Sequence, residues 1–65
     1  MKPRYKIKEF RKELNMSQEE LANKAGISRA TLSKLESGRI VEVSTNTLFK
    51  IADALGKKAN EIFLA

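Results

Sequence analysis

The sequence contains neither cysteine nor histidine. Without these side chains the chain can form no disulfide and has no thiol nucleophile, no imidazole base and no zinc site of the usual kind. It also lacks any apolar run close to the roughly 20 residues of a membrane span, or the apolar core of a signal peptide. The missing disulfides fit a reducing compartment. We therefore expect a soluble, cytoplasmic protein with no metal, no other cofactor and no membrane partner.

The chain is also short. Its 65 residues can form one domain, residues 1–65, around a single small core. Such a core leaves no room for a deep cleft flanked by a second lobe, and the sequence shows no arrangement of nucleophile, base and orienting group. These limits predict a binding module and not an enzyme.

The net charge of +5 favours a polyanionic partner. Residues 1–16 carry six basic and two acidic side chains, which leaves +4, whereas residues 17–38 carry three of each and balance at zero. Residues 1–5 contain Pro3 and no apolar periodicity, which is typical of a short basic arm, solvated or in contact with phosphates, with Tyr5 exposed. Nucleic-acid binding by residues 17–38 would therefore depend on where their charged side chains point.

Residues 18–38 predict two short helices joined by a tight turn. Ser17 and Glu20 have the S-x-x-E spacing of a capping box at the start of the first helix. Gly26 can adopt the positive φ that ends this helix, and the Ser28 hydroxyl can cap the next one. The pattern is that of a helix-turn-helix.

The second helix of this motif has two distinct faces. Leu32 and Leu35 point to one side, and the other side carries polar, basic or small residues, namely Arg29, Ala30, Ser33, Lys34 and Ser37. This outer face has no carboxylate near its N-terminal half. It suits the major groove of DNA, whose base edges offer hydrogen-bond acceptors and the thymine methyl group.

Three further helices are predicted around the motif, which gives a compact, all-α fold of five helices. The first runs from Lys6 to about Leu14, with an apolar stripe at Ile7, Phe10 and Leu14. Ser44 caps the fourth, which ends before Gly56 and has an apolar inner side: Leu48, Ile51, Ala52, Leu55 and, in part, Phe49. Residues 57–64 can form a last short helix that carries Ile62 and Phe63. Residues 39–43 are expected to be an extended connection, because no second strand-like run could pair with them.

Two segments of the sequence closely resemble a known family, the phage-repressor type of helix-turn-helix, or Xre family. They are SQEELANKAGISRATLSKLESG (residues 17–38) and STNTLFKIADALG (residues 44–56). The resemblance covers roughly residues 6–63. It implies five helices, with helices 2 and 3 as the motif and helix 3 in the major groove of double-stranded DNA. It also implies a transcription regulator, typically a repressor that binds an inverted-repeat operator as a homodimer.

The resemblance also assigns residues to roles. Five match the family's base-facing surface or its edges: Ser28, Arg29, Ala30, Ser33 and Lys34. Four match positions beside the DNA backbone: Gln18, Arg39, Ser44 and Asn46. Arg11 and Glu36 match positions that form an ion pair in similar repressors. The chain departs from the family pattern at Val43, where proline is frequent, and at Lys57 and Lys58, where an apolar residue and a capping serine are frequent, so the last helix is expected to begin late or fray.

Several functions remain open at this point. Antitoxins and restriction-modification controllers share the fold, and an antitoxin would also have a protein partner. A protein-binding helical module without DNA binding would carry acids or bulky apolar residues on the outer face of helix 3, which Arg29 and Lys34 disfavour. Sequence-independent RNA binding would favour several exposed aromatic side chains.

The predicted dimer needs a contact within the module itself. Residues 62–64, Ile-Phe-Leu, hold more apolar surface than one short helix can turn inward, so Phe63 or Leu64 is expected to meet the second copy. The alternative is a monomer that pairs only on DNA.

Overall fold

Five α-helices are present in the part of the chain that the computed structural model describes, residues 5–39 and 43–62. They are α1 (Ile7–Glu13), α2 (Gln18–Ala25), α3 (Arg29–Ser37), α4 (Thr45–Leu55) and α5 (Ala59–Ile62). The predicted all-α, five-helix class is confirmed. Of the predicted extended connection, residues 40–42 lie outside the described residues.

Capping interactions set the start of the middle helices. The Ser17 hydroxyl accepts from the Glu20 backbone N–H, and the Glu20 carboxylate accepts from the Ser17 backbone N–H, each at 3.0 Å, so the predicted capping box is complete. The Ser28 and Ser44 hydroxyl groups accept from the backbone N–H groups of Thr31 and Thr47 and so cap α3 and α4, without the reciprocal carboxylate bond of the capping box. Gly26 ends α2 with φ +71°, as the turn requires.

The core lies between all five helices. Its fully buried large side chains come from each of them: Ile7, Leu21, Leu32, Leu35, Ile51 and Ile62. Helix α4 packs mainly on α2, α2 packs on α3, and α1 contacts both α3 and α4. These contacts attach the helix-turn-helix to the other helices around a shared core.

Tyr5 belongs to this core, and the prediction that it is an exposed residue of a basic arm is wrong. Its side chain is only 5% exposed. The next residue, Lys6, donates its backbone N–H to the carbonyl of Ile62 at 2.7 Å, which joins the start of α1 to the end of α5. Residues 1–4 of the predicted arm lie outside the described residues.

Two apolar residues are exposed where the sequence predicted burial. Leu14 is 49% exposed, because α1 ends at Glu13 and the chain then turns through Asn15, which has φ +55°. Phe49 is 55% exposed. It flanks the buried stripe of α4 on one side and Ala54 flanks it on the other, and the structure covers only the Ala54 side.

Helix α5 begins late, at Ala59, as the lysines at positions 57 and 58 predicted. The Lys58 backbone N–H donates to the Glu61 carboxylate at 2.7 Å, which is one half of a capping box. The hydroxyl that would supply the other half is missing, since Lys58 stands at that position. Ile62 is fully buried, and Phe63, on which part of the dimer prediction depends, lies outside the described residues, as does Leu64.

Candidate nucleic-acid interface

The outer face of α3 is set by the residues that anchor its inner face. Leu32 and Leu35 are fully buried. This orientation leaves Arg29, Ala30 and Lys34 exposed together on the opposite side of the helix. The first turn of α3 contains no acidic residue. The structure therefore presents a guanidinium, a methyl group and an ammonium on one convex surface.

The only acidic residue of α3 is turned away from that surface. Glu36 is 7% exposed and accepts two hydrogen bonds from Arg11, from Nε at 2.9 Å and from Nη2 at 3.0 Å. Parallel bonds of this kind are the strongest geometry for an arginine–carboxylate pair. The ion pair expected from the family resemblance is thus present, and it removes a negative charge from the neighbourhood of the outer face.

The same ion pair holds the start of α2. Arg11 also donates from Nη1 to the Met16 carbonyl at 2.8 Å, just before the α2 cap. The Gln18 side-chain amide donates from Nε2 to Glu36 Oε1 at 3.2 Å. The first residue of α2 is therefore linked to the last turn of α3. No buried side-chain nitrogen or oxygen in the described ranges lacks a partner, so this network is satisfied.

The capping serines have a second bond that restricts what they can offer a ligand. Ser28 accepts from the Thr31 backbone N–H at 3.1 Å and donates its own hydroxyl hydrogen to Thr31 Oγ1 at 2.8 Å. Ser44 and Thr47 repeat this arrangement, with distances of 3.1 and 2.8 Å. While the caps are intact, each serine keeps only an acceptor lone pair free.

Thr31 and Thr47 are the residues near the site that the sequence reasoning missed. A signal for them was available, because a hydroxyl residue follows each capping serine three positions later. In this arrangement the hydroxyl hydrogen of each threonine is the one that can be donated outward.

The remaining predicted contacts lie on other elements. Ser33 is half-buried at the edge of the α3 surface, and Arg39 is exposed just after α3, where its backbone N–H donates to the Lys34 carbonyl at 3.0 Å. Ser44 and Asn46 are exposed at the start of α4, which packs mainly on α2. The structure thus gathers Arg29, Ala30 and Lys34 on one surface, links Gln18 to it through Glu36, and holds Ser44 and Asn46 on a separate helix.

One carboxyl group near the α2 start titrates below its ordinary range. The hydrogen bond from the Ser17 backbone N–H, with a smaller contribution from the Ser17 hydroxyl, lowers the pKa of Glu20 from its ordinary value of 4.5. The group stays ionised at neutral pH, where it complements the positive end of the helix dipole.

The described residues offer neither a metal site nor a membrane-spanning helix. Among residues 5–39 and 43–62, no group of acidic side chains is arranged to hold a metal ion. In those same ranges, no helix has the length and apolar character needed to cross a membrane.

A helix-turn-helix family profile matches residues 7–62 of this chain. The chain belongs to the Xre-type helix-turn-helix family. An uncharacterised HTH-type transcriptional regulator of Archaeoglobus fulgidus is 43% identical over 61 residues, which cover 94% of this chain and 84% of that protein.

Solved structures of the same fold agree with this assignment. SinR, the master regulator for biofilm formation, in complex with DNA has a TM-score of 0.82 and 34% identity, covering 85% of this chain and 87% of that one. The N-terminal DNA-binding domain of SinR from Bacillus subtilis has a TM-score of 0.81 and 34% identity, covering 85% and 80%. Membership of this family makes the chain a DNA-binding transcription regulator and not an enzyme.

Proposed function

We propose that this protein is a sequence-specific repressor that binds an inverted-repeat operator in double-stranded DNA as a homodimer. The observation that supports the proposal most directly is the sorting of charge on α3. Arg29 and Lys34 face outward, and the only carboxylate of the helix is buried against Arg11. A surface of this kind can approach the acceptor-rich major groove without repulsion.

Arg29 is the principal base reader in this proposal. Its guanidinium can donate two parallel hydrogen bonds to guanine O6 and N7, and it projects from the first turn of α3. Ala30 beside it can meet a thymine methyl group, and Lys34, one turn further on, reaches a guanine or a phosphate. Ser28 and Ser33 border this surface. With its hydrogen engaged by Thr31, Ser28 contacts a base as an acceptor, for example from a cytosine or adenine amino group.

Contacts to the DNA backbone position this reading surface. Gln18 stands at the N-terminus of α2, where free amides and the helix dipole favour a phosphate, and its bond to Glu36 fixes its distance from α3. Arg39 supplies a charged contact. At the start of α4, the hydroxyl hydrogen of Ser44 is engaged by Thr47. Asn46 and the α4 backbone amides are therefore the donors that meet a phosphate there, with Thr47 added to the predicted set.

The dimer follows from a limit on specificity. One short recognition helix reads only a few base pairs, which gives too little discrimination against genomic competitors. A two-fold pair would place two copies of α3 in successive major grooves, about 34 Å apart. We assign the contact to Phe63 or Leu64, the residues that follow the buried Ile62.

Selection of bound sites from random duplex DNA, followed by footprinting and sedimentation of the free protein, tests the proposal. We expect an inverted repeat whose half-sites are about one helical turn apart, and a dimer at the higher protein concentrations. A selected site without a repeat, protected by a protein that is monomeric at every concentration, would contradict it. Placement of the selected site over a promoter then distinguishes repression from other forms of regulation.

A further inference from the structure

An open groove runs along the outer side of α4 to the start of α5, and nothing proposed above uses it. We call it the α4–α5 groove. Its apolar lining comes from Phe49, Ala52 and Ala59, and its volume is about 580 Å³. That volume lies within the range of about 300–1,000 Å³ that is common for ligand sites.

Phe49 gives this groove an apolar wall that the described part of the chain leaves open. Its side chain is 55% exposed, whereas Ile51 and Leu55 on the same helix are almost completely buried. Leu14, the other large hydrophobic residue of comparable exposure within residues 5–39 and 43–62, does not line the groove. An exposed aromatic ring in a shallow, open groove is typical of an interaction site.

The rim of the groove is basic. Lys50, Lys57 and Lys58 line it together with a single acidic residue, Asp53. The Lys57 ammonium lies 4.9 Å from the centre of the Phe10 ring, a cation–π contact that holds this charge at the edge of the groove. An apolar wall with a cationic rim is complementary to a ligand that combines an apolar group with carboxylates.

The groove is separate from the α3 surface proposed to read DNA bases, and this step depends on that proposal. Its lining on α4 runs from Phe49 to Asp53 and is continued by Lys57, two residues past the end of the helix. At a rise of 1.5 Å per residue, Phe49 lies only about 5 Å from Asn46 along the helix axis. A ligand in the groove therefore leaves α3 uncovered, but it lies beside the phosphate contacts proposed at the start of α4.

We propose that the α4–α5 groove binds an acidic, amphipathic segment of a partner protein. An apolar side chain of that segment packs against Phe49, and its carboxylates pair with Lys50, Lys57 and Lys58. An amphipathic helix with apolar anchors one turn apart is a common form of such a segment. Bound there, the partner would modulate the regulator without competing for the α3 surface.

Two other occupants fit the groove less well. A second copy related by a two-fold axis would bring lysines against the same lysines, which opposes association. A nucleic-acid strand would bind by stacking its bases on several aromatic side chains, and Phe49 is the only aromatic residue among the described residues that line the groove.

The test uses the full chain, labelled with nitrogen-15, without DNA. The probe is a synthetic helical peptide of about 15 residues with two leucines one turn apart and glutamates around them. Two control peptides replace the leucines by serine or the glutamates by lysine. We expect saturable shifts of the amide signals of α4 and the start of α5 with the probe, and none with either control.

Matched variants locate the site. Phe49→Gln and the double variant Lys50→Glu/Lys58→Glu should each weaken probe binding by about tenfold or more. Leu14→Gln makes the corresponding apolar-to-polar change, and the double variant Lys12→Glu/Lys24→Glu makes the same change of charge, at exposed positions outside the groove. Both should leave the binding unchanged. Thermal melting of each variant, together with its affinity for duplex DNA, shows that the fold and the α3 surface are intact.

Any one of four results would overturn the inference. The first three are shifts that map to α3, equal weakening by Phe49→Gln and Leu14→Gln, and binding of a thymidine oligonucleotide in the groove in place of the peptide. A loss of self-association in Phe49→Gln without loss of peptide binding at the groove would assign the surface to a second copy and also overturn it. Because DNA is absent from the peptide titration, its failure leaves the repressor proposal standing.

Discussion

The helix-turn-helix, residues 17–38, and the α4–α5 end of the chain, residues 44–62, differ in how firmly local sequence determines them. In the first region, caps, turn and inward faces all agree with the sequence pattern. In the second, Phe49 is exposed although it was predicted to face partly inward, and α5 begins late, at Ala59, as the departure from the family pattern at Lys57 and Lys58 predicted. Each helix start of the first region has a capping hydroxyl, and the start of α5 has none. Boundaries are therefore predictable where a side chain satisfies the backbone, and elsewhere they depend on packing.

The largest expected effect is on stability, and it shows whether the helix-turn-helix depends on the long-range ion pair between Arg11 and Glu36 as well as on local caps. Arg11→Met leaves the Glu36 carboxylate buried without its cation, and we expect it to destabilise the domain by about 3–5 kcal/mol. Urea unfolding measures the change. The double variant Arg11→Met/Glu36→Leu should recover most of the loss, because two apolar side chains fill the same space. If the single variant is as stable as the wild type, local caps alone define the helix-turn-helix.

Apolar positions in the two regions should respond differently to truncation. Leu35→Ala removes a fully buried side chain of α3 and should destabilise by about 2–5 kcal/mol. Phe49→Ala removes a larger side chain of α4, yet it should change stability by only about 0.5 kcal/mol, because the ring is exposed. Thermal melting compares the two. A large loss for Phe49→Ala would mean that its ring is covered in solution.

The site itself could be predicted only in part. The pattern of Leu32 and Leu35 was enough to place Arg29 and Lys34 outward, because one helical period fixes all these positions. The bond from Gln18 to Glu36 could not be predicted, since it depends on how closely the start of α2 approaches the end of α3. The burial of Tyr5 was hidden for a similar reason: its neighbour Lys6 pairs with Ile62, at the far end of the chain.

Periodicity was ambiguous along α4. Phe49 and Ala54 flank the buried stripe at similar angles, and only tertiary packing decides which flank is covered. The roles of the outward residues in DNA contact remain predictions.

Alanine substitutions at Arg29, in the helix-turn-helix, and at Arg39, just after it, should lower DNA affinity in different ways. Arg29→Ala should reduce affinity for the best site by about 1–3 kcal/mol and relax the preference at one base pair. Arg39→Ala should weaken binding to all sequences alike and reduce the salt dependence. Titrations on the selected duplex and a scrambled one, at several salt concentrations, separate these effects. Equal losses on both duplexes for Arg29→Ala would exclude it as a base reader.

The incomplete cap of α5 can be repaired, which would make the second region more like the first. Lys58→Ser supplies the missing hydroxyl opposite Glu61, and we expect it to stabilise the domain by about 1 kcal/mol. This corresponds to a rise in melting temperature of about 4–8 °C for a domain of this size. Lys57→Ser, one residue earlier, is the control and should bring no such gain. No change with Lys58→Ser would mean that packing of Ile62, and not capping, determines where α5 begins.

The smallest expected effect is a pH dependence that belongs to the α2 capping box. Since the pKa of Glu20 is lowered in the folded state, its contribution to stability is fully present above the ordinary value of 4.5 and is lost as the pH falls through the folded value. Glu20→Gln keeps an acceptor for the Ser17 N–H but removes the titration. Melting temperatures between neutral pH and about pH 3 should therefore fall less for Glu20→Gln than for the wild type. Glu19→Gln is the control. It removes a charge from the same first turn, but Glu19 has no bond to Ser17, so the hydrogen bond between Ser17 and Glu20 stays intact. If both variants reduce the fall in melting temperature at acid pH equally, the pH dependence comes from the charge near the helix N-terminus. The hydrogen bond between Ser17 and Glu20 would then contribute nothing to the pH dependence.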